Sequence, residues 1–136
     1  MQSFKIDPAS TNTFNSTTLD SLESFSYDET CDVTQLGSDG KMRIQYVGTD
    51  NLAMSVTVVG YDVGYSALVG TVSTLVLNAI EHASGSGITG TKIVHTFSNA
   101  VLTNTSRSVN HAGNSTVTYN FVCASPDGTT IPLALS

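Results

Sequence analysis

The sequence predicts an all-β or mainly β fold, an antiparallel sandwich or barrel with at most one short helix. Three observations carry this. β-Branched and aromatic residues recur along the whole chain, where they fit pleated, half-buried strands. Several stretches alternate apolar and polar side chains with period two. Turn-forming clusters punctuate them at short intervals: Gly-Ser-Asp-Gly at 37–40, "VNHAGN" at 109–114 and Ser-Pro-Asp-Gly at 125–128. Eight or nine short strands at such spacing indicate a sandwich or barrel.

Taken in order, residues 1–20 are polar after a short "FKI". They read as an N-terminal arm or first edge strand, not as a packed element. In "LESFSY" Phe25 and Tyr27 share a face, and Cys31 and Val33 continue the period. Asp-Gly at 39–40 supplies the positive φ angles of a hairpin turn. "KMRIQYV" sets Met42, Ile44 and Tyr46 against Lys41, Arg43 and Gln45. "GTDN" at 48–51 reads as a turn. "LAMSVTVVG" then turns Leu52, Met54, Val56 and Val58 to the core and Ala53, Ser55 and Thr57 outward, so that 41–59 forms a hairpin.

"YDVGYSALVG" reads as a loop with room for a helical turn at 66–69. Residues 66–82 fit both helical and strand spacing. Their β-branched content and Gly70 favour a strand. "SGSGITG" at 84–90 is a Gly/Ser loop. "TKIVHTFS" places Ile93, His95 and Phe97 on one side, and "NAVLTNTSRS" continues it or starts another strand. In "STVTYNFVCA" Val117, Tyr119, Phe121 and Cys123 face one way. Thr116, Thr118 and Asn120 face the other, giving a polar face without charge.

The chain of 136 residues is of single-domain size, 1–136. Charged residues make up 12%, about half the usual share. The net charge of −6 and the five scattered cations (Lys5, Lys41, Arg43, Lys92 and Arg107) argue against gripping nucleic acid, which takes Lys and Arg. No stretch has the length of a signal-peptide core or a membrane span. The protein is therefore read as cytosolic in origin, with Cys31 and Cys123 as free, buried thiols.

Chemistry-bearing patterns are absent from the sequence. His82, His95 and His111 lack metal-ligand spacing and read as surface or turn residues. Asp28, Glu29 and Asp32 lack the order of a calcium loop and read as a solvated turn. The glycines of 84–90 lack the Lys-Ser/Thr ending of a phosphate loop. The matches to Asn-x-Ser/Thr at Asn15, Asn104 and Asn114 are what a Ser/Thr/Asn-rich chain produces by chance. The expectation is of no catalytic residue, cofactor or metal, and of a protein that is not an enzyme.

Over residues 22–133 the pattern resembles the tail tube proteins of tailed bacteriophages, a family related to the inner-tube proteins of contractile injection systems. The carriers are "KMRIQYVGTDNLAMSVTVVG", "YDVGYSALVGTVSTLVL", "ASGSGITG" and above all "KIVHTFSNAVLTNTSRSVNHAGNSTVTYNFVCASPDGTTIPL". Many members of that family carry a distinct helix on the sandwich, for which only 66–82 is available here. The resemblance implies a tail-tube-like β domain acting as a structural virion subunit. Six copies would close into a ring by joining sheets, and rings would stack into a tube through which DNA passes without specific binding. Its partners would be itself and other tail proteins, with no membrane. Its place would be the virion tail, assembled in the host cytoplasm. The arm 1–20 and the loops 60–70 and 84–90 are then expected to bridge neighbouring subunits. The other readings are a different β-sandwich structural or adhesive subunit of a virion or fibre, and a ligand-binding sandwich.

Overall fold

The computed structural model describes residues 4–7, 10–19, 21–37, 40, 43–61, 69–81, 91–113 and 115–136. The described residues form nine strands and no helix. They are β1 (Phe4–Ile6), β2 (Thr13–Phe14), β3 (Thr17–Thr18), β4 (Leu22–Gly37), β5 (Ile44–Tyr61), β6 (Val72–Glu81), β7 (Lys92–Ser108), β8 (Thr116–Cys123) and β9 (Leu133–Leu135). All pairings are antiparallel, in the order β3-β2-β6-β7-β8-β5-β4, with β1 added to β6 and β9 to β7.

The sheet folds over itself because β7 serves two layers. Its first half lies between β6 and β9, and its second half pairs with β8. The change falls at Asn99, whose φ of 49° sits in a bulge between the pairs Leu75↔Phe97 and Ser73↔Ala100. Asn tolerates this left-handed conformation better than most residues, and a bulge bends and twists the strand. Rings then meet across the fold from strands that are not ladder neighbours. Phe14 of β2 lies 4.9 Å from Phe121 of β8, and Tyr27 of β4 lies 5.6 Å from Phe97 of β7. Between the layers pack Met54, Val56, Val58, Leu75, Leu77, Phe97, Leu102, Val117, Tyr119 and Phe121, all buried.

Several expectations hold. Residues 72–81 are strand, β7 runs unbroken through "NAVLTNTSRS", and Val117, Tyr119, Phe121 and Cys123 share the buried face. Gly40, with φ of 74°, lies in the connection between β4 and β5.

Other expectations are corrected. "GTDN" at 48–51 is no turn: β5 runs straight through it, with Thr49 opposite Val33 and Asp50 opposite Asp32. The hairpin is therefore β4–β5, and residues 44–61 are one strand. Leu52, expected in the core, is 70% exposed, as are Cys31 and Val33 to a large degree. A register shift between the pairs Thr30↔Ala53 and Asp32↔Asp50 puts 51 and 52 against residue 31 alone. β8 reaches β5 only from Met54 onward. Beyond that point β4 and β5 pair only with each other among the described residues, as a two-stranded ribbon. Ten residues from Ile44 to Ala53 give it a length of about 30 Å.

Residues 1–20, expected to be unpacked, contribute to the core. Phe14 and Leu19 are buried, and β1 and β2 both pair with β6. Asn15 and Ser16, with φ of 53° and 60°, make the two-residue turn between β2 and β3, a geometry whose twist matches that of the strands.

The loop at 84–90, His82, Lys41, Met42, most of the 60–70 loop and all but the end of the expected helical turn at 66–69 lie outside the described residues. So do the side chains of Ile44 and Tyr46.

Candidate functional site

Pairing across β7, β8, β5 and β4 sets the outward side chains in rows. One row is Asn104, Asn120, Thr57 and Ser26; the next is Ser106, Thr118, Val59 and Ser24. A third is Val101, Val122, Ser55 and Asp28. Thr57 Oγ1 donates to Asn120 Oδ1 at 3.2 Å. A bulge at Thr103, which donates to the Asn120 carbonyl at 3.0 Å, restores the outward row after it. The three rows are thus Ser, Thr, Asn and Val with a single charge, Asp28. None of the chain's Lys or Arg joins them. Arg107 alternates to the opposite side, facing Val117; Lys5 lies on β1, and Lys92 begins β7.

β4 borders this face and ends the strand order. Beside it an apolar groove of about 610 Å³ opens between β4 and the β1–β6–β7–β9 layer, lined by Phe4, Ile6, Phe25, Tyr27, His95 and Leu135 among others, with Lys5 and Glu23 as its charged members. His95, expected at the surface or in a turn, is instead buried here at 8% exposure. Its ring packs edge-on to Phe25 at 5.2 Å and tilted to Tyr27 at 5.6 Å. Among the described residues its Nδ1 finds no hydrogen-bond partner. Burial holds the imidazole pKa below the ordinary histidine value, outweighing the carbonyls of Ile93 and Leu77, which favour the proton.

A second hollow of about 430 Å³ lies between residues 125–132 and the base of the ribbon, with Glu29, Leu52, Met54 and Cys123 in its wall. The loop there is built around Asp127. Its Oδ1 accepts the backbone N–H of Thr129 at 2.9 Å and of Thr130 at 2.7 Å, and its Oδ2 accepts the Thr130 hydroxyl at 2.7 Å. Those bonds, the Thr130 hydroxyl first, hold the carboxyl well below the usual aspartate range. Burial moves the Cys123 thiol the other way, up to about 11.

The N-terminal segment is fastened by polar groups that sequence patterns did not single out. Buried Asp7 accepts the Ser10 hydroxyl at 2.5 Å and meets Lys92 at 3.2 Å. Buried Asn12 and Asn78 pair directly: Asn12 Oδ1 accepts the Asn78 backbone N–H at 2.8 Å and its side-chain amide at 3.3 Å. Buried polar groups are expected to be paired in this way, but the partner lies 66 residues off in the chain and leaves no local signal. His111 is exposed, and Asp28, Glu29 and Asp32 are exposed along β4. Among the described residues no cluster of His, Cys, Asp or Glu could hold a metal.

No protein-family model matches the chain. No curated protein matches it. Among solved structures, a chain from the virion of a native gene transfer agent (GTA) particle superposes with a TM-score of 0.53 at 10% identity, over 88% of this chain and 88% of that one. At that identity the likeness is one of fold, and it spans nearly the whole of both chains.

Proposed function

We propose that this protein is the structural subunit of a phage-type tail tube, closing into hexameric rings that stack around a DNA conduit. The observation that carries the reading is the outward face of β7, β8, β5 and β4. Its described rows are hydroxyl- and amide-rich and hold no Lys or Arg. A wall that DNA passes must offer no row of cations, because each neutralised phosphate adds affinity. We assign this face to the lumen. The β4 edge, with backbone groups available for pairing, supports joining to a neighbouring subunit. The exposed Cys31, Val33 and Leu52 of the ribbon support contact between rings. The fold shared with a chain of a gene-transfer-agent virion agrees with a virion role.

Electron microscopy of the purified full chain is the test. Hollow rings or tubes are expected; a protein that stays monomeric at high concentration overturns the reading. Thr57→Lys combined with Asn120→Lys adds the missing charge to the face. The variant should assemble as before and hold DNA in a salt-dependent manner that the native chain lacks. Other forms of assembly, such as sheets or fibres of single subunits, would instead favour a different structural module of a virion.

A further inference from the structure

We propose that the seam between β4 and the β7–β9 layer is an acid-opened latch, with His95 as the group that takes the proton. The inference is independent of the tube reading. β4 reaches the opposite layer through Phe25 and Tyr27, whose rings lie on His95, and Tyr27 also touches Phe97. Phe25 is only half-buried and Tyr27 is 39% exposed, so the seam is shallow. His95 beneath them is almost wholly enclosed, and its Nδ1 has no partner among the described residues. A neutral ring tolerates this enclosure; an imidazolium does not, since a buried charge must be paired or rehydrated.

The surroundings offer the cation the Ile93 and Leu77 carbonyls, whose support burial outweighs, and little else. β4 contributes Tyr27 and Glu23. β1 contributes Lys5, which repels it. β6 contributes Leu77 and Ala79, and β9 contributes Leu135. Among the described residues Glu23 is the one carboxylate in the groove. The direct route to hydration is for Phe25 and Tyr27 to lift away and the groove to widen. The ladders of β4 on β5 and of β5 on β8 are untouched by this motion, so the hairpin stays intact while its mount loosens.

The sign follows from linkage. The closed seam binds the proton less readily than a free histidine does. Its advantage is complete above about pH 6.5, the free value. It falls as pH drops through the interval down to the lowered pKa, where the open-to-closed ratio rises by up to tenfold per pH unit.

NMR of the full chain tests this between pH 7.5 and 4.5, through the His95 ring titration and the ring-to-ring contacts of Tyr27 with Phe97. Those contacts should weaken in step with His95 protonation, at a midpoint below 6.5. They should persist to lower pH in His95→Phe, which keeps an aromatic ring under Tyr27. Glu23→Gln controls for the carboxylate and should leave the midpoint below 6.5. Contacts that survive His95 protonation would overturn the proposal, as would a His95 midpoint at or above the free value. The native chain alone supplies both of these readouts should His95→Phe fail to fold.

Discussion

Cys31 and Cys123 are both free and both in strands, yet they differ in chemistry. Cys31 is exposed on the ribbon. Cys123 is buried, with its thiol pushed up to about 11, so almost none of it is the reactive thiolate at neutral pH. Alkylation of the native protein should modify Cys31 alone, and both should react after unfolding; mass spectrometry reads one adduct against two. The Asp127 loop gives a second prediction at this scale. A carboxyl whose folded pKa is depressed stabilises above its unfolded value and loses that contribution as pH falls through the folded one. The loop should therefore keep its bonds well below the ordinary midpoint of about 3.9. The Thr129 and Thr130 amide resonances should stay at their bonded positions down to about pH 3, and a midpoint near the ordinary value would contradict the geometry. Ser-Pro-Asp-Gly announced a turn here. That Asp127 would gather both threonines came from the loop's closure, which composition does not encode.

At the scale of elements, the N-terminal segment is the clearest departure from the sequence reading. Residues 10–19 hold so many Thr, Asn and Ser that a pattern search finds no strand, and the two buried apolar residues, Phe14 and Leu19, stand alone in the polar run. Their burial depends on β6, which supplies Leu75 opposite Phe14, and on Phe121 across the sandwich. Phe14→Ala should cost about 3–5 kcal/mol, the usual price of emptying an aromatic site in a core. Deletion of residues 1–15 would remove Phe14 together with Asp7 and Asn12. It should leave a chain that melts at markedly lower temperature, as followed by circular dichroism. An unchanged melting temperature would show that β6 does not need this cover. β8 was legible because its alternation coincides with real burial, whereas β6 fitted helical spacing as well and was favoured as a strand only by its β-branched content.

At the scale of the whole molecule, the β4–β5 ribbon runs on past the point where β8 stops pairing with β5. Among the described side chains of β5, every core residue lies at or after Met54, and the described ribbon residues from Cys31 to Val33 and at Leu52 are exposed. Joining Thr30 to Ala53 through Asn-Gly, a two-residue hairpin turn, should change the melting temperature by no more than a few degrees. If the ribbon connects rings, the shortened chain should stop at single rings or subunits in light scattering. Long tubes from it would remove the ribbon from the assembly. The all-β class was legible at this scale, as was the antiparallel character, because period two and turn chemistry act within a few residues.

Local pattern was enough to place β7 and β8 as strands with their apolar faces, and to favour a strand over a helix for β6. The sequence by itself also determined that cations are too few to line a nucleic-acid grip. These follow from local physics: alternation, β-branching and charge count. Tertiary structure alone decided that β5 crosses "GTDN" without turning and that Leu52 and Cys31 lie in water. It also decided that Phe14 lies in the core and that His95 is sealed beneath Phe25 and Tyr27. Each depends on which distant strand lies opposite, since an apolar side chain is buried only where another layer exists to cover it. That layer is set by the bend of β7 at Asn99 and by where β8 stops along β5.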